Sequence, residues 1–150
     1  VIAGAPAIDA SYYNSFISEN CSIVFGETYS LLDNASLGIV TSGTATLETA
    51  LFRVPEVVCY IGNPLSYRIA KSLIKVNYIS LVNLIMDEEV VKELIQDDCN
   101  PEKITEELKK LEQGTPGRKQ LEEKYDQLIK SLGTGGASKK AAEKIVAQLY

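Results

Sequence analysis

Gly38-Ile39-Val40-Thr41-Ser42-Gly43-Thr44-Ala45-Thr46-Leu47-Glu48 is the stretch around which the chain is organised. Leu37 to Val40 is a short apolar run, as a buried strand requires. Small residues and a glycine follow. Apolar residues at helical spacing then begin with Leu47, Ala50, Leu51 and Val54. Strand, tight turn and helix form the joint at which doubly wound α/β domains bind ligands. Gly43 opens backbone angles closed to other residues and lets a ligand approach the main chain. The first amides of the helix have no intrahelical partner, so an anion fits there. Glu48 stands one turn beyond Thr44 on nearly the same helix face. A carboxylate in that place suits paired sugar hydroxyls rather than phosphate.

The same alternation extends in both directions. Upstream, residues 1–4 and 22–25 read as strands, with a helix over 9–19 that Asp9 starts and a short helix over 29–34. Downstream, Pro55 ends the central helix. Residues 56–61 are continuously apolar enough for a buried parallel strand. A helix is expected over 66–76, a strand over 78–81 and a helix over 87–96 capped by Asp87. From Asn100 the pattern is helical. Asn100-Pro101 and Thr115-Pro116 each give a cap followed by proline at the first helical position. Stripes of Ile104, Leu108 and Leu111, then Leu121, Tyr125, Leu128, Ile129 and Leu132, then Ala142, Ile145, Val146 and Leu149 mark three helices. The expected fold class is α/β: a Rossmann-like parallel sheet of five strands flanked by helices, with a helical tail from about residue 115.

Bulk composition narrows the function. The 150 residues suit one domain, and 45% hydrophobic with 23% charged residues is ordinary for a globular protein. A net charge of −5 argues against nucleic acid as partner. No apolar run approaches the roughly 18–20 residues of a membrane span. Cys21, Cys59 and Cys99 lack Cys-x-x-Cys spacing, which fits a reducing cytosol and argues against a disulfide framework or zinc site. The chain has no histidine, which removes Ser-His-Asp and Cys-His chemistry. Gly133-Thr134-Gly135-Gly136-Ala137-Ser138-Lys139-Lys140 follows a helix and lacks the order of a phosphate-binding loop, so it reads as a hinge.

Ser42-Gly43-Thr44-Ala45-Thr46-Leu47-Glu48, Val57-Val58-Cys59-Tyr60, Pro64, Tyr78-Ile79-Ser80-Leu81-Val82-Asn83-Leu84 and Val91-Lys92-Glu93-Leu94-Ile95-Gln96 together resemble the lipid-A-disaccharide synthase family. The resemblance runs from about Gly26 to the C-terminus. It implies the donor-binding part of a glycosyltransferase with two Rossmann domains (the GT-B type). Ser42, Gly43, Thr44 and Ala45 would contact the diphosphate of a UDP-sugar through backbone and hydroxyl groups. Glu48 would take the ribose, and Asn83 and Leu84 would also meet the donor. Gly26 and Tyr29, on the loop after the second strand, are candidates for the uracil pocket.

The implied reaction transfers 2,3-diacylglucosamine from its UDP form to 2,3-diacylglucosamine 1-phosphate, with inversion and without metal or cofactor. No catalytic residue is expected in this chain. The lipid acceptor and the general base would belong to an N-terminal domain ahead of Val1. The first, central strand of the donor domain would also precede Val1, so an incomplete sheet could associate into a homodimer. The implied location is cytoplasmic and peripheral to the inner membrane of a Gram-negative cell, with lysine-rich faces offering membrane contact. One departure stands out. Ile61 occupies a position where many family members carry a basic residue, which leaves Arg68 and Lys71 as candidate phosphate partners. The alternative readings are another UDP-sugar transferase or epimerase, or a nucleotide-binding module without catalysis.

Overall fold

The computed structural model describes residues 1–63, 77–133 and 135–148. The expected helix over 66–76, with Arg68 and Lys71, lies outside the described residues, as do Pro64, Thr134 and Leu149. In chain order the elements are β1 (Ile2–Gly4), α1 (Ala10–Tyr13), β2 (Ile23–Phe25), α2 (Thr28–Asn34), β3 (Gly38–Thr41), α3 (Thr44–Leu51) and β4 (Glu56–Tyr60). Then follow α4 (Leu81–Met86), β5 (Lys92–Ile95), a 3₁₀ turn at Gln96–Asp98, α5 (Pro101–Lys110), α6 (Pro116–Leu132) and α7 (Ala137–Ala147). The α/β class and the parallel pairing agree with the sequence reading.

The strands form two ladders rather than the single expected sheet. β1 pairs in parallel with β2, and β3, β4 and β5 form a separate parallel sheet in that order. A doubly wound sheet places its first strand in the middle. No strand among the described residues joins β1 to β3.

Two further corrections concern residues 78–96. Residues 78–81 do not form a strand: the Ser80 hydroxyl accepts from the Asn83 amide at 3.3 Å and caps α4. Residues 87–96 do not form a helix. Asp87 ends α4 with a left-handed backbone (φ 54°), and Lys92–Ile95 pairs with Val57–Tyr60. Val90, Val91, Leu94 and Ile95 fit a helical stripe as well as a strand. The unpaired edge of β4, which supplies a partner for every backbone group, decides for the strand. The helix expected over 9–19 shrinks to the single turn α1, capped by the Asp9 carboxylate at 2.8 Å from the Ser11 amide.

The core lies between the β3–β4–β5 sheet and the helices. Ala50, Val58, Val82, Val91, Leu121, Tyr125 and Leu128 form one buried cluster. Leu121, Tyr125 and Leu128 recur at helical spacing and bring α6 onto the sheet. Full burial of such side chains contributes roughly 1.5–3 kcal/mol each. The Tyr125 hydroxyl donates to the Val54 carbonyl at 3.3 Å. Half of the expected helical tail is thus part of the core. α7 is not: its described side chains are exposed, Ile145 and Val146 included.

Candidate functional site

β3, β4 and β5 are parallel, so their C-terminal ends share one edge. Ser42 follows β3 on that edge. Its amide donates to the Cys59 carbonyl at 3.2 Å, which extends the ladder by one step. Its hydroxyl donates to the Ile79 carbonyl at 2.9 Å. The hydroxyl hydrogen is therefore committed within the chain, and the oxygen offers a ligand lone pairs only. Direct donation from this hydroxyl to phosphate, as the resemblance implies, is not what the geometry provides.

Gly43 sits at φ 156°, ψ −161°, a conformation that is essentially restricted to glycine. A Cβ there would meet no atom within 4 Å, so the backbone angles and not crowding demand glycine. Gly43 precedes α3 without a side-chain cap. Gly43, Thr44 and Ala45 are exposed, which leaves the start of α3 open to an anion. Thr46 and Thr49 turn their hydroxyls back onto the Gly43 and Ala45 carbonyls at 2.8 Å each. Those bonds brace the first turn and leave the outward amides free. Glu48 is half-buried one turn along α3, and its carboxylate has no hydrogen-bond or ion-pair partner among the described residues. It is available to hydroxyl donors.

Asn83 departs from expectation. It is fully buried. Its Nδ2 donates to the Val91 carbonyl at 2.9 Å and to Glu93 Oε1 at 2.8 Å. Its Oδ1 accepts from the amides of Val90 at 2.8 Å and Val91 at 2.9 Å. With both ends of the amide engaged, the side chain joins α4 to β5 rather than reaching out to a donor. Leu84, on the next position of α4, is exposed. Gly26 follows β2 with φ 72° and is exposed. Tyr29 is not brought to the turn. Its ring stacks on Phe52 with centroids 5.6 Å apart, at the end of α3 opposite Gly43. Ile61, at the position that lacks a basic residue, is exposed.

Two residues outside the expected donor site brace this region: Glu93, and Gln96, which matches a family position but reads in the sequence as a solvated helix-end glutamine. Glu93 receives the Ile79 amide at 3.0–3.1 Å, the Ser80 amide at 2.9 Å, the Ser80 hydroxyl at 2.8 Å and Asn83 Nδ2. Gln96 Oε1 accepts from the Gly62 amide at 3.1 Å, and Nε2 donates to the Gly62 carbonyl at 3.2 Å. Both stand in the Val91-to-Gln96 run, where a helical reading hid which side chains share a face.

The cysteines also differ from their sequence separation. The Cys99 thiol lies beside that of Cys59, and burial first, then that neighbour, pushes the Cys59 thiol up to about 12. Such a thiol is inert as a nucleophile. Among the described residues no group of three or more His, Cys, Asp or Glu side chains is placed to hold a metal ion. No helix among them is long and apolar enough to cross a membrane.

The chain matches the family model described as lipid-A-disaccharide synthetase over residues 13–148. It is 41% identical over 120 residues to the lipid-A-disaccharide synthase of Syntrophus aciditrophicus (strain SB), covering 80% of this chain and 31% of that protein. Against the enzyme of the same name from Histophilus somni (strain 2336) it is 35% identical over 136 residues, 87% of this chain and 35% of the relative. Against that of Psychromonas ingrahamii (strain DSM 17664 / CCUG 51855 / 37) identity reaches 49% over 86 residues, 57% of this chain and 23% of the relative. The chain spans about a third of the length of the curated relatives it matches. With the open helix start at Gly43, the parallel α/β sheet and a match over most of its length, the chain belongs to the lipid-A-disaccharide synthase family.

Proposed function

We propose that this chain is the donor-nucleotide-binding portion of a lipid-A-disaccharide synthase. The whole protein would transfer 2,3-diacylglucosamine from UDP-2,3-diacylglucosamine to 2,3-diacylglucosamine 1-phosphate, releasing UDP with inversion at the anomeric carbon. The observation that carries this reading is the uncapped, exposed start of α3 with the unpartnered Glu48 carboxylate one turn along it. The Gly43-to-Ala45 amides would hold the diphosphate and stabilise charge that develops on the leaving group. Glu48 would accept from the two ribose hydroxyls. The acceptor site and general base would lie on a domain outside this chain, so this portion alone would form no disaccharide.

Peripheral contact with the cytoplasmic face of the inner membrane belongs to the same reading, because donor and acceptor both carry acyl chains. Association of two copies belongs to it as well. β1 and β3 each keep one unpaired edge among the described residues.

The test is calorimetry on the full-length protein with UDP and 2′-deoxy-UDP. A hydrogen bond to a charged group contributes roughly 1.5–3 kcal/mol, so Glu48→Ala should weaken UDP binding about 10- to 100-fold. The loss should be much smaller with 2′-deoxy-UDP, which already lacks one hydroxyl. An equal loss for both ligands would remove Glu48 from the ribose role. Binding of UDP without turnover of the acylated donor would point to another UDP-sugar enzyme.

A further inference from the structure

We propose that Glu93, within β5, and Gln96, directly after it, are the positioning residues of the donor site, setting the turn that holds the nucleotide without touching it. The proposal rests on the nucleotide-binding reading of Ser42 to Glu48. It starts from a continuous line of hydrogen bonds. The Ser42 hydroxyl donates to the Ile79 carbonyl at 2.9 Å, and the Ile79 amide donates onward to Glu93 at 3.0 Å. The peptide plane at residue 79 has little freedom, because the Ser80 amide and hydroxyl and Asn83 Nδ2 converge on the same carboxylate. Ser42 is the first residue of the turn, and Gly43 to Ala45 follow it directly. Where Glu93 sits therefore decides where the free amides of α3 point.

Gln96 does the same for the neighbouring loop. Its amide pairs with both the N–H and the carbonyl of Gly62, two residues beyond β4 on the same edge. It does so from a left-handed backbone, φ 54°. A residue other than glycine enters that region only at an energetic cost, and such strain concentrates at functional sites. Neither side chain belongs to the buried hydrophobic cluster. Gln96 directs its amide to backbone on the edge where a ligand of this fold binds, and Glu93 directs its carboxylate to the backbone and side chains of residues 79–83.

The test uses the full-length protein, with calorimetry of UDP binding and urea unfolding run in parallel. Glu93→Gln replaces an accepting oxygen by an NH2 group that faces other donors, so the 79–83 turn must shift. UDP affinity should fall by about tenfold or more. Ser42→Ala should weaken binding several-fold. The double variant should be no worse than Glu93→Gln alone, because both residues act through one line of bonds. Gln96→Gly removes the clamp and relieves the strained backbone together. Its unfolding midpoint should hold or rise while UDP affinity falls about threefold or more, an opposition that a merely structural residue does not produce.

Multiplying losses in the Glu93→Gln/Ser42→Ala pair would overturn the proposal, as would unchanged UDP affinity in Gln96→Gly. Should Glu93→Gln fail to fold, Gln96→Gly decides by itself. A wild-type protein that does not bind UDP would instead bring down the nucleotide reading, and the positioning role with it. Wild-type binding that Gln96→Gly leaves intact removes only the positioning role.

Discussion

Glu56 and Glu93 stand on adjacent strands and face the same side of the sheet, since Glu93 pairs in register with Val58, two residues along β4 from Glu56. Their surroundings are opposite. Glu93 receives four donors. Glu56 is fully buried at the start of β4, and neither of its carboxyl oxygens has a hydrogen-bond partner. The neighbouring Tyr125 hydroxyl is committed to the Val54 carbonyl. Burial pushes the Glu56 carboxyl up from 4.5 to about 9, so it is held as the neutral acid. A carboxyl group in a sheet is neither a site nor a defect by itself. The donors that tertiary structure brings to it decide which it becomes: the Ile79 and Ser80 amides that lead into α4 point at Glu93, while no donor among the described residues reaches the Glu56 carboxyl.

The sharpest way to break the comparison is to empty the satisfied side. Asn83→Leu takes the side-chain partner from the Val91 amide and carbonyl, while the Val90 amide keeps the Glu88 carbonyl at 3.0 Å. Each orphaned buried group costs roughly 1–3 kcal/mol, so the protein should lose about 3 kcal/mol or more in urea unfolding. A loss under about 1 kcal/mol would mean that the Glu93 network does not depend on Asn83.

The unsatisfied side should respond in the other direction. Glu56 has a folded-state pKa above its unfolded value, so the native form keeps a proton that the unfolded chain releases. Its contribution is fully present below pH 4.5 and is lost as pH rises towards about 9. The slope reaches about 1.4 kcal/mol per pH unit. Glu56→Met should therefore stabilise the protein at pH 7 by about 2–3 kcal/mol and flatten that decline. Urea unfolding at several pH values between 4 and 9 measures both, and parallel profiles for the two proteins would show that Glu56 finds a partner in solution.

Smaller effects sharpen the picture at the edge itself. Gly43→Ala meets no atom but must hold a glycine-only conformation. It should destabilise by about 1–2 kcal/mol and weaken UDP binding in calorimetry by more than that change in stability implies. Arg53 supplies the control. It is left-handed at φ 57° and pairs with Asp126 at 2.7 Å, both side chains being more than half exposed. Arg53→Gly relieves the backbone and removes a solvent-screened ion pair, so thermal unfolding should register a change within about 0.5 kcal/mol.

Local signals in the sequence were enough for β3, the turn at Gly43 and α3, because periodicity, a glycine and a helix start lie within a dozen residues of one another. They were enough for α5 and α6 too. Asn100 and Thr115 cap them from the positions read in the sequence, accepting from the Lys103 amide at 3.0 Å and the Arg118 amide at 3.2 Å. The same stretch, with its companions at 57–60, 78–84 and 91–96, was enough for the family. Only the tertiary structure decided that the last strand is Lys92–Ile95 and that residues 78–81 lead into a helix. Val90 to Ile95 satisfies helical and extended patterns alike, and the open edge of β4, more than thirty residues earlier, broke the tie. Asn83 and Glu93 followed from that choice. A buried side chain takes its role from the donors and acceptors that folding places around it, and no short-range pattern records those.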